Sequence, residues 1–322
     1  MRIRAIITLL AWVAAWVPGV LAAEVIEPGR ITVPGGEVRY VLQSNELDLS
    51  RQAVHAWIER SAQTVAGYYG RFPVADVEVV LIPVKGGGVR TGKAFPARTP
   101  IINVYVGRTT SQIDLAHDWI MVHEMVHLAF PSMPPAQKWI SEEIATYVGT
   151  VAPANMGDVS AESVWSEFVQ GMPNGLPAAG DKGLDHTPTW GRRYWGGALF
   201  CLLADIEIRK QTQNRYSLRD ALRGIVVSGA TMAGRSRQLA SLFRVADEAV
   251  GVSVLYGLYE EMRATPVHTD LDTLWRNLGV MRSGDGVQFE NTAPLAAIRR
   301  RITAVVPKTH YSDAHSNELR IP

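Results

Sequence analysis

The chain has 322 residues, enough for one large domain or two small ones at about 100 to 200 residues per domain. Its 47% hydrophobic and 20% charged residues are typical of a globular protein and exclude disordered, collagenous and coiled-coil classes. The 32 basic and 31 acidic residues give a net charge of +1, so no large field of one sign favours nucleic acid, and we expect no nucleic-acid partner.

The first 22 residues have the pattern of a secretory signal peptide. Arg2 and Arg4 precede an apolar run over 5–17, and small residues follow up to Ala22. We therefore predict a signal peptide over 1–22, export to the periplasm or outside the cell, and no membrane span after cleavage. The alternative is an uncleaved membrane anchor, for which the 19 residues of 5–23 lie near the lower limit for crossing about 30 Å of hydrocarbon.

Residues 24–110 alternate between strand and helix signals, which predicts a small α/β part. The predicted elements are a hairpin over 30–43, a helix between Ser50 and Gly70, and strands over 77–84 and 101–106. The glycines of 86–92, followed by Lys93, lack the spacing of a phosphate-binding loop. We expect this segment to form a flexible edge of a cleft.

From Ser111 onward the apolar residues recur with the period of a helix, and strand signals nearly vanish. Helices are predicted over 112–130, 136–151, 160–170, 189–211, 217–227, 236–250, 253–264 and 270–278. The Gly- and Pro-rich stretch 153–188 predicts an excursion over the surface. The expected fold class is α+β, a small N-terminal mixed sheet with a covering helix followed by a mainly helical lobe over 111–306 and a flexible tail over 307–322.

A metal-binding pattern lies in the first of these helices, where residues 123–127 read His-Glu-Met-Val-His. In a helix, His123 and His127 stack on one face, and Glu124 lies beside them, placed to reach a water without being a ligand. The residues expected on the same face are Ala116, Trp119, Ile120, Val126 and Phe130. Two buried neutral imidazoles suit zinc, and because Cys201 is the only cysteine, the remaining donors must be His or carboxylate.

A catalytic zinc has three protein ligands and one open position, so a third donor is needed. The helix that follows the motif offers Glu142 and Glu143. The apolar stripe of this helix lies opposite Glu142, whereas Ala145 and Gly149 give Glu142 a face of small residues that would let another helix approach closely. The helical periodicity does not decide between the two glutamates.

The segment Trp139-Ile-Ser-Glu-Glu-Ile-Ala-Thr-Tyr147 resembles the Trp-x-x-Glu-x-x-Ala-x-Tyr pattern of the gluzincin metallopeptidases, the thermolysin-like clan, and is most similar to the glycyl aminopeptidase family. This resemblance extends over about two thirds of the chain and implies a thermolysin-like catalytic unit. It also implies that the third ligand of one zinc per chain is Glu142. Glu143 stands where that family has glycine.

The resemblance continues at Tyr194-Trp-Gly-Gly-Ala198, which is similar to a Tyr-x-Lys-Gly-Ala segment of the family. It implies that Tyr194 hydrogen-bonds the oxyanion formed at the attacked carbonyl, although Gly196 stands where the lysine would be. The sequence has no counterpart of the Gly-x-x-Glu segment that anchors a peptide's amino group in related aminopeptidases. The glycines of 86–88 occupy that neighbourhood without a carboxylate.

The expected function is that of an exported zinc metallopeptidase acting on a peptide or protein substrate, with Glu124 as the general base and Tyr194 assisting. Endopeptidase and aminopeptidase action both remain open. One alternative is a non-catalytic zinc protein of the same fold that binds peptides or serves as a scaffold. The other is a zinc hydrolase of a non-peptide amide or an ester.

Overall fold

A computed structural model describes residues 28–306 except 45 and 188. The predicted signal peptide and the predicted tail therefore lie outside the described residues. Within the described part of the chain, no helix is long and apolar enough to cross a membrane. The α+β fold class predicted from the sequence is confirmed.

A five-stranded mixed sheet forms the N-terminal part of the chain. Its strands are β1 (Gly29–Val33), β2 (Gly36–Leu42), β3 (Asp76–Val84), β4 (Val89–Phe95) and β5 (Ile101–Gly107), in the spatial order β1-β2-β3-β5-β4. The strand pairs β1–β2 and β4–β5 are antiparallel, whereas β2–β3 and β3–β5 are parallel. Burial alternates along β3 and β5, so one face of the sheet packs against the core.

The covering helix of the sheet, α1 (Arg51–Tyr69), begins and ends at the residues expected from the sequence. The hydroxyl of Ser50 accepts a hydrogen bond from the Ala53 amide and caps the helix. Gly70 ends it with a φ of 80°, a left-handed conformation that glycine adopts without steric cost. The indole of Trp57, on the buried face of α1, donates a hydrogen bond to Asp118 over 3.0 Å and so ties α1 to the chain that follows the sheet.

Strand β4 corrects the expectation of a flexible loop over 86–92. The glycines at 86–88 precede the strand, and residues 91–95 pair antiparallel with β5 at the edge of the sheet. The segment does border a cleft, but it does so as a strand held by backbone hydrogen bonds. Its polar residues gave no strand signal in the sequence. The segment is a strand because it forms backbone hydrogen bonds with β5.

The lobe that follows the sheet is mainly helical. Its helices are α2 (Gln112–Ala116), α3 (Ile120–Val126), α4 (Lys138–Met156), α5 (Ala161–Gly171), α6 (Trp190–Gln211), α7 (Leu218–Val227), α8 (Leu239–Val250), α9 (Leu255–Met262), α10 (Leu271–Leu278) and α11 (Ala296–Ile302). Strands β6 (Val280–Ser283) and β7 (Gly286–Phe289) form an antiparallel hairpin. The hairpin and α11 were not predicted from the sequence.

The prediction of one helix over 112–130 was wrong. The chain leaves helical geometry between α2 and α3, and a 3-10 turn over His127–Ala129 follows α3. The Asp118 carboxylate accepts hydrogen bonds from the Ile120 and Met121 amides, which starts a new helix at that point. Trp119 is consequently 62% exposed and does not belong to the buried face on which it was expected.

The surface excursion expected over 153–188 is also wrong in part. Helix α4 continues to Met156, and α5 buries Val164, Trp165 and Phe168 in the core. Asp181 pairs with Arg192 of α6 at 2.8 Å, and both side chains are almost fully buried. The segment is therefore packed into the helical lobe. The apolar side chains of α5 hold it there, although the surrounding glycines and prolines predict a surface loop.

Candidate metal centre

Helix α3 and the 3-10 turn that directly follows it hold His123 and His127, whose side chains are both largely buried. The rings of His123 and His127 lie 4.9 Å apart between centroids, as expected for residues four apart in a helix. His123 is 5% exposed and Glu124 is 7% exposed. The cap that Asp118 provides fixes where α3 begins, and thus the rotation that points both imidazoles inward.

Helix α4 brings Glu142 against both imidazoles. The Oε2 atom of Glu142 lies 3.5 Å from Nε2 of His123 and 3.6 Å from Nε2 of His127. The small face expected beside Glu142 is present, because a Cβ added to Gly149 would lie 3.9 Å from the Cα of His123. Helix α3 therefore packs closely on α4 at Gly149, about two turns after Glu142.

The protonation states of these groups suit a cation. Burial lowers the pKa of His127 to about 4, so its imidazole is neutral at pH 7. Burial alone would raise the pKa of Glu142, but the two imidazoles and Arg193 more than offset this and lower it. The carboxylate is therefore ionised, and it faces the neutral imidazole of His127.

The three donors fit the requirements of a zinc ion. One nitrogen from each of His123 and His127 and one oxygen from Glu142 lie within 4.8 Å of one another. Two histidines and one carboxylate are a donor set of catalytic zinc sites, in which the fourth position stays open. These are the residues expected as metal ligands from the sequence.

The carboxyl of Glu124 lies between the histidine helix and the edge strand β4. Burial raises its pKa to about 6, His123 lowers it, and the charge of Glu142 raises it. Gly92 of β4 leaves the space that this carboxyl occupies, because a Cβ at residue 92 would lie 3.0 Å from its Cδ and Oε1 atoms and would overlap Cγ. Sequence reasoning missed Gly92, whose only signal was a glycine inside a segment taken for a loop.

Replacing Gly92 by alanine is expected to lower the rate of a reaction that uses the Glu124 carboxyl at least 10-fold without unfolding the chain, because the added methyl displaces that carboxyl. Steady-state kinetics with a thermal unfolding curve measure both effects. Gly257→Ala in α9 is the matched control, since an added Cβ there meets nothing within 4 Å. Equal activity of Gly92→Ala and wild type would show that the strand does not constrain Glu124.

Tyr194 lies near the start of α6 and lines the same cavity as Glu124 and Glu142. Burial and the negative charges of Glu142 and Glu124 raise its pKa, while Arg193 lowers it. The phenol is therefore protonated at neutral pH and able to donate a hydrogen bond. Among the described residues no partner accepts one from it, which leaves the hydroxyl available to a ligand in the cavity.

Glu143 points away from the histidines and packs between α4 and α6. It is fully buried, and a Cβ on Gly197 would overlap its carboxyl group. Burial raises the pKa of Glu143 well above its usual range, more than the Gly197 amide and Arg192 lower it. Glu143 is thus part of the packing between the two helices and lies outside the cluster formed by His123, His127 and Glu142.

The cavity around the cluster has a volume of about 670 Å³, the size of a small-molecule or peptide-binding cleft. One wall is the edge strand β4, and the floor is formed by α3 and α4. The 3-10 turn after α3 and the loop that leads to α4 contribute Phe130, Pro131 and Met133.

The fold is similar to that of solved M1 zinc metallopeptidases, which are gluzincins. No protein-family model matches this sequence, and no curated protein sequence does. An aminopeptidase N family protein from Idiomarina loihiensis superposes with a TM-score of 0.59 at 13% identity, over 80% of this chain and 50% of that one. A variant of a two-domain M1 zinc metallopeptidase bound to L-arginine gives 0.50 at 14% identity, over 76% and 53%.

The chain spans about half the length of these two structures. At such low identity the likeness extends to the fold alone, so the resemblance expected from the sequence is confirmed at that level. The division of the chain near residue 110 and the roles of the individual site residues stay predictions.

Proposed function

We propose that this chain is a zinc-dependent peptidase that hydrolyses peptide bonds with Glu124 as its general base. The observation that carries the proposal is the convergence of two imidazole Nε2 atoms and one carboxylate oxygen in a cavity that Glu124 and Tyr194 also line. The likeness in fold to M1 zinc metallopeptidases supports the same class of chemistry. Export is proposed on the N-terminal pattern alone.

In this proposal His123, His127 and Glu142 hold the zinc. Bound zinc supplies a Lewis acid that polarises a carbonyl and lowers the pKa of a coordinated water toward about 7. Glu124 accepts a proton from the attacking water as the water oxygen forms a bond to the carbonyl carbon. The same carboxyl then delivers that proton to the nitrogen as the C–N bond breaks, so that it ends the cycle ionised.

The pKa of about 6 suits Glu124 to both steps. A carboxyl with this pKa is mostly ionised at pH 7, and it is basic enough to take a proton and acidic enough to return it. The hydroxyl of Tyr194 donates a hydrogen bond to the carbonyl oxygen as negative charge develops there. The loss of one such donor costs typically about 2.7 to 4 kcal/mol in transition-state stabilisation.

The test combines metal content with cleavage. Freshly purified protein is analysed for zinc and incubated with a mixed peptide library whose products are read by mass spectrometry. We expect one zinc per chain and cleavage that a chelator abolishes and added zinc restores. A folded protein that neither contains nor takes up zinc would overturn the proposal. Zinc with peptide binding but no cleavage would favour the scaffold alternative, and cleavage only of esters or other amides would favour the second alternative.

A further inference from the structure

The charges that line the cleft are unevenly distributed. Among the described lining residues, the only carboxylates are Glu124 and Glu142, both already assigned to the site. Three basic residues line the same cavity: Arg90, Lys93 and Lys138. None of the three has a carboxylate within 4.0 Å in the described part of the chain.

These basic side chains come from two sides of the cleft. Lys138 is the first residue of α4, one helical turn before Glu142, so the two residues share a helix face. Lys93 belongs to β4 and directly follows Gly92, the residue whose Cα faces the Glu124 side chain. The ammonium of Lys93 rests 5.2 Å from the centre of the Phe95 ring, and Lys138 is exposed. Both retain unused hydrogen-bond donors.

The excess of positive charge is local. The whole chain carries a net charge of only +1. A doubly charged zinc ion would be balanced by the two carboxylates of the site, which leaves the three basic residues uncompensated around the cleft. A cleft lined by one sign of charge raises the local concentration of oppositely charged substrate and its association rate, by about 10- to 10³-fold.

A free α-amino group finds no partner in this cleft. Binding a peptide by its ammonium requires a carboxylate that is not engaged elsewhere, and the described lining residues offer none beyond Glu124 and Glu142. An ammonium would instead face Lys93 and Lys138. The lining thus disfavours recognition of a peptide's amino terminus and favours recognition of a carboxylate.

We propose that this cleft selects peptides that carry a carboxylate close to the scissile bond, recognised by Lys93 and Lys138. The carboxylate is an acidic side chain of the substrate or its C-terminal group. This inference rests on the proposed peptidase function and narrows its substrate class.

The first experiment compares peptides of equal length that differ in charge. Each carries a fluorophore at its blocked N-terminus and a quencher on an internal side chain, with alanine, glutamate or lysine around the cleavage position. We expect kcat/KM for the glutamate peptide to exceed that for the alanine peptide at least 10-fold at low salt, with the lysine peptide lowest. The preference should shrink as salt rises to about 1 M, where the Debye length falls to about 3 Å.

A second arm identifies the source of the carboxylate. Each peptide is made with a free and with an amidated C-terminus. If amidation lowers kcat/KM for all three peptides, the terminal carboxylate is recognised. If the glutamate peptide exceeds the alanine peptide whether or not the C-terminus is amidated, the side chain is recognised. Equal rates for all three side chains together with no effect of amidation, or fastest cleavage of the lysine peptide, would overturn the inference. Failure of the zinc-loaded protein to cleave any peptide would overturn the proposed function instead.

Variants connect the preference to the two lysines. The double variant Lys93→Gln, Lys138→Gln should lower the ratio of kcat/KM for the acidic over the neutral peptide at least 10-fold. Each lost positive charge is expected to lower this ratio about fivefold. Lys210→Gln is the matched control. Lys210 is an exposed lysine in a pair with Glu207, near the far end of α6, about 24 Å along the helix from Tyr194. Its ratio should equal that of wild type.

Binding gives a readout that does not depend on turnover. In a Glu124→Gln background, fluorescence anisotropy of the labelled glutamate peptide should show tighter binding than of the alanine peptide. Adding the two lysine substitutions should remove the difference. If the difference in affinity between the two peptides is unchanged in the variant without both lysines, the selectivity comes from other residues and the role of Lys93 and Lys138 is overturned.

Discussion

Replacing Glu124 by glutamine is expected to lower kcat about 10²- to 10⁴-fold while one zinc per chain stays bound. Glutamine keeps the size and hydrogen-bonding capacity of the side chain but cannot accept the proton of the attacking water. Because Glu124 lies outside the group of three converging donors, the substitution leaves the metal ligands in place. Single-turnover kinetics, elemental analysis and peptide binding together measure the effect.

Glu248→Gln in α8 is the matched control for this substitution, since Glu248 is an exposed glutamate of the same type in the described chain. It should retain full activity. If Glu124→Gln is as active as wild type, Glu124 is not the base. If the variant loses its zinc together with its activity, metal loss accounts for the result and the assignment of a base is withdrawn.

Replacing Glu142 by alanine is expected to lower zinc affinity more than 100-fold and to abolish peptidase activity. Loss of a group that only supports a ligand costs typically about 10- to 100-fold in metal affinity, and loss of a ligand costs more. Competition with a chelator of known affinity measures the change, and circular dichroism verifies that the chain stays folded.

Glu143→Ala tests the neighbouring glutamate in the same assay. Because Glu143 packs against α6 and not against the histidines, we expect its replacement to change zinc affinity less than 10-fold. Any effect should appear in the thermal unfolding midpoint instead. The reverse order of affinities would move the third ligand from Glu142 to Glu143.

Elements with strong local signals could be predicted from the sequence. Helix α1 was predicted with its boundaries because Ser50 caps it and Gly70 ends it. The start of α7 likewise follows from the capping box formed by Ser217 and Asp220. The His-x-x-x-His spacing placed both imidazoles on one helix face for the same reason, since it depends only on local geometry.

Features that depend on distant contacts could not be predicted. Strand β4 contains few β-formers and is a strand because β5 pairs with it. The break before α3 depends on Asp118, whose partner Trp57 lies 61 residues earlier in the chain. Glu142 and Glu143 differ by one position, about 100° around the helix, and only the packing of α3 and α6 against α4 decides which of them faces the histidines.

The contact between Glu143 and Gly197 restricts how this sequence can evolve. A larger residue at 197 is excluded while glutamate occupies 143, because the carboxyl takes the space of its Cβ. A change from glutamate to a small residue at 143 would leave a cavity beneath α6. The two positions therefore show epistasis, and the cost of changing either depends on the residue at the other. A lineage that loses the glutamate gains freedom at 197, three residues after Tyr194.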